Sequence, residues 1–169
     1  HFEAKGVENP RLDAEVLLCA VLKCERIKLY TEFDKPLSEE ERDKMRSYVE
    51  RRAKHEPLAY IIGERAFMRN NFKVTPATLV PRPETELLAE RAVRALQGFS
   101  PGAHALDLCC GSGCLGITLA LEVPSAQVDM ADLSEDALAV TRKNADRLGA
   151  QVSLLRGDLW DAVRARQYQ

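Results

Sequence analysis

Apolar positions in this chain follow two rhythms. Up to about Ile62 they recur three and four apart, which is helical spacing. Asn9 then Pro10 predicts a helix start, with Asn as a capping side chain and Pro where no N–H is needed. Leu12, Val16, Leu17, Ala20 and Val21 follow as an inward stripe. Ile27 to Thr31 predicts a short helical turn, broken by Asp34-Lys35-Pro36. Ser38-x-x-Glu41 is a capping box, so a second long helix starts near Glu39, with Met45, Tyr48, Val49 and Ala53 on its apolar face. Glu56-Pro57 opens another turn carrying Leu58, Tyr60, Ile61 and Ile62, stopped by Gly63.

From Gly63 the pattern shortens. Arg65 to Met68 and Phe72 to Val74 predict two short strands around Arg69-Asn70-Asn71. In Pro81-Arg82-Pro83 two prolines stiffen the chain around an arginine and keep it out of a sheet. A helix then begins near Thr85 with Leu88, Ala92, Val93 and Leu96 inward. Ser100-Pro101-Gly102 turns into a strand, Ala105 to Leu108, followed by an apolar helix, Leu115 to Leu121. A second strand, Gln127 to Asp132, leads to a helix capped by Ser134, with Leu138, Val140, Thr141 and Ala145 near its inner side. That helix ends at Gly149, and Val152 to Leu155 is a third strand. Strand and helix in alternation predict a doubly wound parallel sheet.

Composition narrows this little. The chain has 169 residues, 46% hydrophobic and 30% charged, as in ordinary globular proteins. No stretch approaches the roughly 20 apolar residues of a membrane span. A net charge of −2 argues against a broad nucleic-acid-binding face. Five cysteines (Cys19, Cys24, Cys109, Cys110 and Cys114) do not suggest a disulfide framework, which fits a reducing cytoplasm. Three of them cluster, but with no fourth ligand nearby they are expected to line a tight loop and to bind no metal.

The chemistry concentrates between the first strand and its helix, in Asp107-Leu108-Cys109-Cys110-Gly111-Ser112-Gly113-Cys114-Leu115-Gly116. Strand, glycine turn and helix N-terminus together make a cradle, because glycine admits close approach and the first helical N–H groups lack intrahelical partners. Gly111-x-Gly113-x-x-Gly116 matches the dinucleotide fingerprint. Asp107, before the loop, is the acid expected of an S-adenosylmethionine (SAM) loop instead. Asp132 ends the second strand, where a carboxylate accepts from both hydroxyls of a ribose. Asp158, after the third strand, stands where SAM enzymes set an acid or polar group against the adenine amino group; for each of these acids the other reading is a helix N-cap. Asp132 serves NAD and SAM alike, and Asp107 with Asp158 favours SAM. Either Leu159 or Trp160 offers cover for an adenine face or packs into the core.

At this point the residues resemble a known family. The motifs are Pro57-Leu58-Ala59-Tyr60-Ile61-Ile62-Gly63-Glu64, Phe67, Pro76-Ala77-Thr78-Leu79-Val80-Pro81-Arg82-Pro83-Glu84-Thr85-Glu86, and Leu106-Asp107-Leu108 with the glycine loop. They look like those of the bacterial protein-(glutamine-N5) methyltransferases that modify peptide chain release factors (HemK/PrmC type), over essentially the whole chain. The resemblance implies a Rossmann-like α/β SAM-dependent methyltransferase domain with an incomplete parallel sheet, preceded by a small all-helical domain and a β-hairpin. It implies a helical substrate-docking domain (1–62), a hairpin and Pro-rich connector (63–83) and the N-terminal half of the SAM domain (84–169). The implied reaction is N5-methylation of the glutamine in the release factors' Gly-Gly-Gln motif, in the cytoplasm. No direct nucleic-acid contact and no membrane contact are implied.

For the site, the resemblance implies cofactor binding by Asp107, Cys109, Cys110, Gly111, Ser112, Gly113, Asp132, Asp158 and Leu159, with Arg82 and Glu84 on the substrate side. Two departures stand out. Cys109-Cys110 replaces the Gly-Thr with which many family loops begin. The Asn-Pro-Pro-Tyr motif, which aims polar groups at the substrate amide, has no counterpart here. No catalytic residue is therefore expected in this stretch. It reads as part of a longer enzyme, inactive alone. The alternatives are a ribosomal-protein glutamine methyltransferase, an NAD-linked oxidoreductase, an adenine methyltransferase of nucleic acid, and a module that only docks a partner.

Overall fold

The computed structural model describes residues 1–99 and 101–169; Ser100, which opens the expected turn before the first strand, lies outside them. The chain divides into two units, His1–Ile62 and Gly63–Gln169.

The first unit is helical. A 3-10 turn (Glu3–Lys5) precedes α1 (Pro10–Leu22), α2 (Lys28–Thr31), α3 (Glu39–Ala53) and α4 (Leu58–Ile62). The capping box forms in full. Ser38 Oγ accepts from Glu41 N at 3.2 Å, and Glu41 Oε2 accepts from Ser38 N at 2.8 Å. Asn9 departs from expectation, since its side chain makes no cap bond and the start of α1 is marked by Pro10 at the first turn. The inward stripe is also rotated. Asp13, Leu17 and Val21 are buried, whereas Leu12 is exposed. The cause is an ion pair between helices: Arg52 of α3 donates to Asp13 Oδ2 at 2.7 Å, turning that face of α1 inward. Phe2, Val7, Leu17 and Ile61 form the core, with Met45, Tyr48, Val49 and Ala53 packed against it.

The second unit opens with a hairpin, β1 (Glu64–Phe67) and β2 (Asn70–Lys73), paired antiparallel with Phe67 opposite Asn70. The turn is therefore Met68-Arg69, not the expected Arg69-Asn70-Asn71. Met68 takes φ +51, and its N–H is held by Glu86 Oε1 at 2.8 Å, a long-range bond that fixes the turn. Phe67 and Phe72 are buried edge to face, 6.0 Å between centroids. Next comes α5 (Pro83–Gln97). Its Leu88 is 53% exposed and Ala89 is buried in its place. This helix packs against α6 (Cys114–Glu122), and Ala89 joins the core cluster of the unit.

Three parallel strands follow in spatial order: β3 (His104–Leu108), β4 (Gln127–Asp132) and β5 (Ser153–Arg156). Helix α6 joins the first two and α7 (Glu135–Leu148) the last two. Ser134 Oγ caps α7 through Ala137 N at 3.2 Å, and Gly149 at φ +71 ends it. Met130, Ile117, Val128 and Ala105 lie in the core between the sheet and its helices. The carboxyl ends of all three strands share one edge, where open α/β sheets take their ligands.

Candidate functional site: a glycine loop at the carboxyl edge of the sheet

The three glycines of the loop have different reasons to be glycine. A Cβ on Gly116 would lie 2.8 Å from Met130 Cγ, and one on Gly113 would lie 2.8 Å from Thr141 Cγ2. Gly116 thus lets α6 press onto the sheet, and Gly113, itself at φ +80, leaves room for Thr141 of α7. Gly111, at φ +57, would meet nothing within 4 Å. Its bare face meets open space, as the expected cradle requires. Cys109, at φ +64, occupies the left-handed region without glycine's freedom and is exposed. Such a conformation costs an L-residue roughly 1–2 kcal/mol. Leu159, across the edge, is also left-handed, at φ +46.

Acidic side chains take up much of the loop's main chain. Asp132 Oδ2 accepts from Gly111 N at 2.9 Å, and its Oδ1 accepts from Ser134 N at 2.9 Å. Each carboxylate oxygen has a further lone pair, so both remain able to accept from a diol. Asp107 is 7% exposed, and its Oδ2 accepts from Gly116 N at 2.8 Å. Burial raises its pKa to about 6; the Gly116 N–H works against that rise, and the Asp132 charge adds to it. Cys110 is buried, its thiol pushed up to about 12 by desolvation, and Cys114 is pushed up to about 11 for the same reason. Both thiols are therefore protonated at neutral pH.

The structure thus gathers Asp107, Cys109 to Gly113 and Asp132 around one turn. Asp158 follows β5 at the same edge, exposed and making no side-chain cap bond. Leu159 and Trp160 come next, Trp160 at 66% exposure, so neither is core. Arg82 and Glu84 stand apart. They are exposed at the start of α5, and among the described residues neither hydrogen-bonds to the loop. Glu86 instead ties that helix to the hairpin turn.

Three residues escaped the sequence reading as site components. Leu133, immediately after Asp132, is exposed and puts apolar surface beside the carboxylate. Thr141 donates to Gly111 O at 2.8 Å and contacts Cys110 Sγ at 3.7 Å. Asn144 donates to Ser112 O at 2.9 Å. The available signal was the polar pair Thr141 and Asn144, one turn apart on the face of α7 that also carries Ala137 and Ala145.

A three-stranded parallel sheet with a glycine loop at its carboxyl edge and an acid closing the neighbouring strand has the architecture of an α/β domain of the methyltransferase type. Residues 84–169 match the methyltransferase small domain model, and the chain belongs to that family. Residues 1–63 match the PrmC N-terminal domain model. Among curated relatives, a release factor glutamine methyltransferase of Geobacter sulfurreducens is 45% identical over 169 residues, 99% of this chain and 58% of that protein. Another so named, from Rhodopirellula baltica, is 40% identical over 98% of this chain and 58% of its own. The chain thus spans about 58% of the length of these relatives. Among solved structures, the SAM-dependent methyltransferase from Agrobacterium tumefaciens aligns with a TM-score of 0.53 at 19% identity, over 62% of this chain and 36% of that one, a likeness of fold.

Proposed function

We propose that this protein uses S-adenosyl-L-methionine to methylate the side-chain nitrogen of the glutamine in the Gly-Gly-Gln motif of peptide chain release factors, in the cytoplasm. The observation that carries the reading is the match along 99% of the chain to a relative bearing that activity's name. The site fits the donor. Gly111 leaves open space where a side chain would stand, Asp132 presents a half-satisfied carboxylate, and Leu133 and Leu159 give apolar surface at the same strand ends.

Held by these residues, the donor would supply an electrophilic methyl group: its sulfur would keep the C–S electron pair as a neutral thioether, and the amide nitrogen that gains the methyl would give up a proton to solvent. This chain's own residues bind and orient. Asp132 receives the ribose hydroxyls, and Asp158 with Leu159 receives the adenine. Asp107 and Asp132 lend negative potential near a cationic ligand. A glutamine amide is a poor nucleophile because its lone pair is delocalised, as in a peptide bond. Rate therefore rests on positioning and on groups aimed at the amide. Arg82 and Glu84, stiffened by Pro81 and Pro83, belong to the substrate side, and the helical unit docks the release factor. The net charge of −2 accords with a protein partner rather than nucleic acid.

Calorimetry of the intact enzyme with S-adenosylhomocysteine and with NAD tests the donor, and mass spectrometry of a release factor after incubation with SAM tests the acceptor. We expect selective binding of S-adenosylhomocysteine and one added methyl on the Gly-Gly-Gln glutamine. Selective NAD binding would reject the reading. Methylation of a ribosomal protein with the release factor untouched would move the acceptor.

A further inference from the structure

Asn144 is fully buried, at 0% exposure, on the third turn of α7, and one side-chain amide serves two distant segments. Its Oδ1 accepts from Lys73 N at 2.7 Å, and its Nδ2 donates to Lys73 O at 3.0 Å. The second Nδ2 proton goes to Ser112 O at 2.9 Å. This pattern fixes which end of the amide is oxygen, because a flipped Asn144 would set two carbonyls against Oδ1 and an N–H against Nδ2. Lys73 is the last residue of β2, so Asn144 gives the hairpin's outgoing end a pair of bonds like those of a neighbouring strand. One turn earlier, Thr141 holds Gly111 O at 2.8 Å.

Consecutive carbonyls of the glycine loop are thus drawn toward α7. A trans peptide is planar, with its N–H opposite its C=O. Holding Gly111 O against α7 therefore turns the Ser112 N–H away from the helix, and holding Ser112 O does the same for the Gly113 N–H, which Cys110 O accepts at 2.8 Å. The loop's shape is set from beneath by these two side chains; of the two, Asn144 also bonds the hairpin, which α7 meets a second time where Arg147 donates to Asn71 O. The chain beyond Lys73 leads directly to the connector that carries Arg82.

We propose that Asn144 is a positioning residue that joins the donor-binding glycine loop directly to the hairpin strand β2, so that donor binding and placement of the substrate-side connector are coupled through its side-chain amide. The inference rests on the SAM reading above for the identity of the ligand. It does not require Asn144 to touch donor or substrate.

The test compares Asn144→Ala and Asn144→Asp with wild type in the intact enzyme, using S-adenosylhomocysteine calorimetry, hydrogen exchange across residues 70–75 and steady-state kinetics. For Asn144→Ala we expect affinity to fall about tenfold, the scale of a lost buried hydrogen bond. KM for the protein substrate rises as well, and the protection that the ligand confers on the Lys73 N–H in wild type is lost. The second variant covers the case in which Ala does not fold. In Asn144→Asp an ionised carboxylate would face Ser112 O and Lys73 O with no proton to donate, while a protonated carboxyl regains a single bond. Its ligand affinity is therefore expected to rise as pH falls, with a steeper pH dependence than wild type. Affinity within twofold of wild type in Asn144→Ala, ligand-linked protection of Lys73 that survives the substitution, or an Asn144→Asp profile parallel to wild type would each overturn the proposal. Failure of wild type itself to bind S-adenosylhomocysteine would instead reject the donor assignment.

Discussion

The two units spend their polar side chains differently. In the helical unit charged groups tie helix to helix. Arg52 meets Asp13 between α3 and α1, Arg51 meets Glu56 beyond the end of α3, and Glu15 gathers Arg11, Arg26 and Tyr30. The hydrogen bonds from Tyr30 and Arg11, with help from Arg26, bring Glu15 down to about 2. In the α/β unit the buried polar groups Asp107, Thr141 and Asn144 reach instead into one loop, joined there by the half-buried Asp132. Ion pairs at the joints of a scaffold make a shape. Uncharged amides, hydroxyls and half-satisfied acids converging on a turn make a place for something else.

The largest effect expected from breaking this contrast is in the scaffold. Arg52→Ala leaves Asp13 buried and unpaired, which costs about 3–5 kcal/mol. Denaturant melts of the intact protein should show the helical unit unfolding earlier while S-adenosylhomocysteine affinity holds. A matching loss of affinity would blur the division between the units.

Next in size is Asp107. Its carboxyl sits at about 6 when folded against an ordinary 3.8. Folding favours the protonated form, so the stabilisation this gives is complete below about pH 3.8 and is lost as pH rises through about 6. Asp107→Asn keeps an oxygen for the Gly116 N–H and should remove that slope, a difference of roughly 3 kcal/mol between the two limits. Unfolding free energies measured from pH 4 to pH 7 check it, and parallel curves for the two proteins would contradict it.

Asp132→Ala acts on the ligand more than on the fold. It should weaken S-adenosylhomocysteine binding by about 1.5–3 kcal/mol, the range of hydrogen bonds to a charged group. Calorimetry reads this directly, and unchanged affinity would remove the ribose assignment. The smallest effect belongs to Ser38→Ala, about 1 kcal/mol of helical-unit stability through loss of the cap. Thermal melting should show it without any change in donor binding.

How much was legible follows the same division. The Ser38–Glu41 box, the strand from Gln127 to Asp132 and the Ser134 cap are local patterns, and each formed where the sequence placed it. Contacts across long stretches of chain were not legible. Met68-Arg69 lacks glycine or asparagine, and its hairpin turn is held by Glu86 of α5. Leu88 is the larger apolar residue, but Ala89 is the one buried in the core of the second unit, and Leu88 is left exposed. Asp13 reads as a surface acid until Arg52 arrives beside it. At the site, the acids stood out because a strand end is a local feature. Asn144 did not, because its partners Lys73 and Ser112 lie 71 and 32 residues away.

The most direct test of the central claim is a crystal structure of the protein with S-adenosylhomocysteine. The account predicts adenosine lying over Gly111 along the carboxyl ends of β3, β4 and β5, with both ribose hydroxyls on Asp132 and the adenine beside Asp158 and Leu159. A ligand bound elsewhere, or one in this crevice that leaves the Asp132 carboxylate untouched, would contradict it.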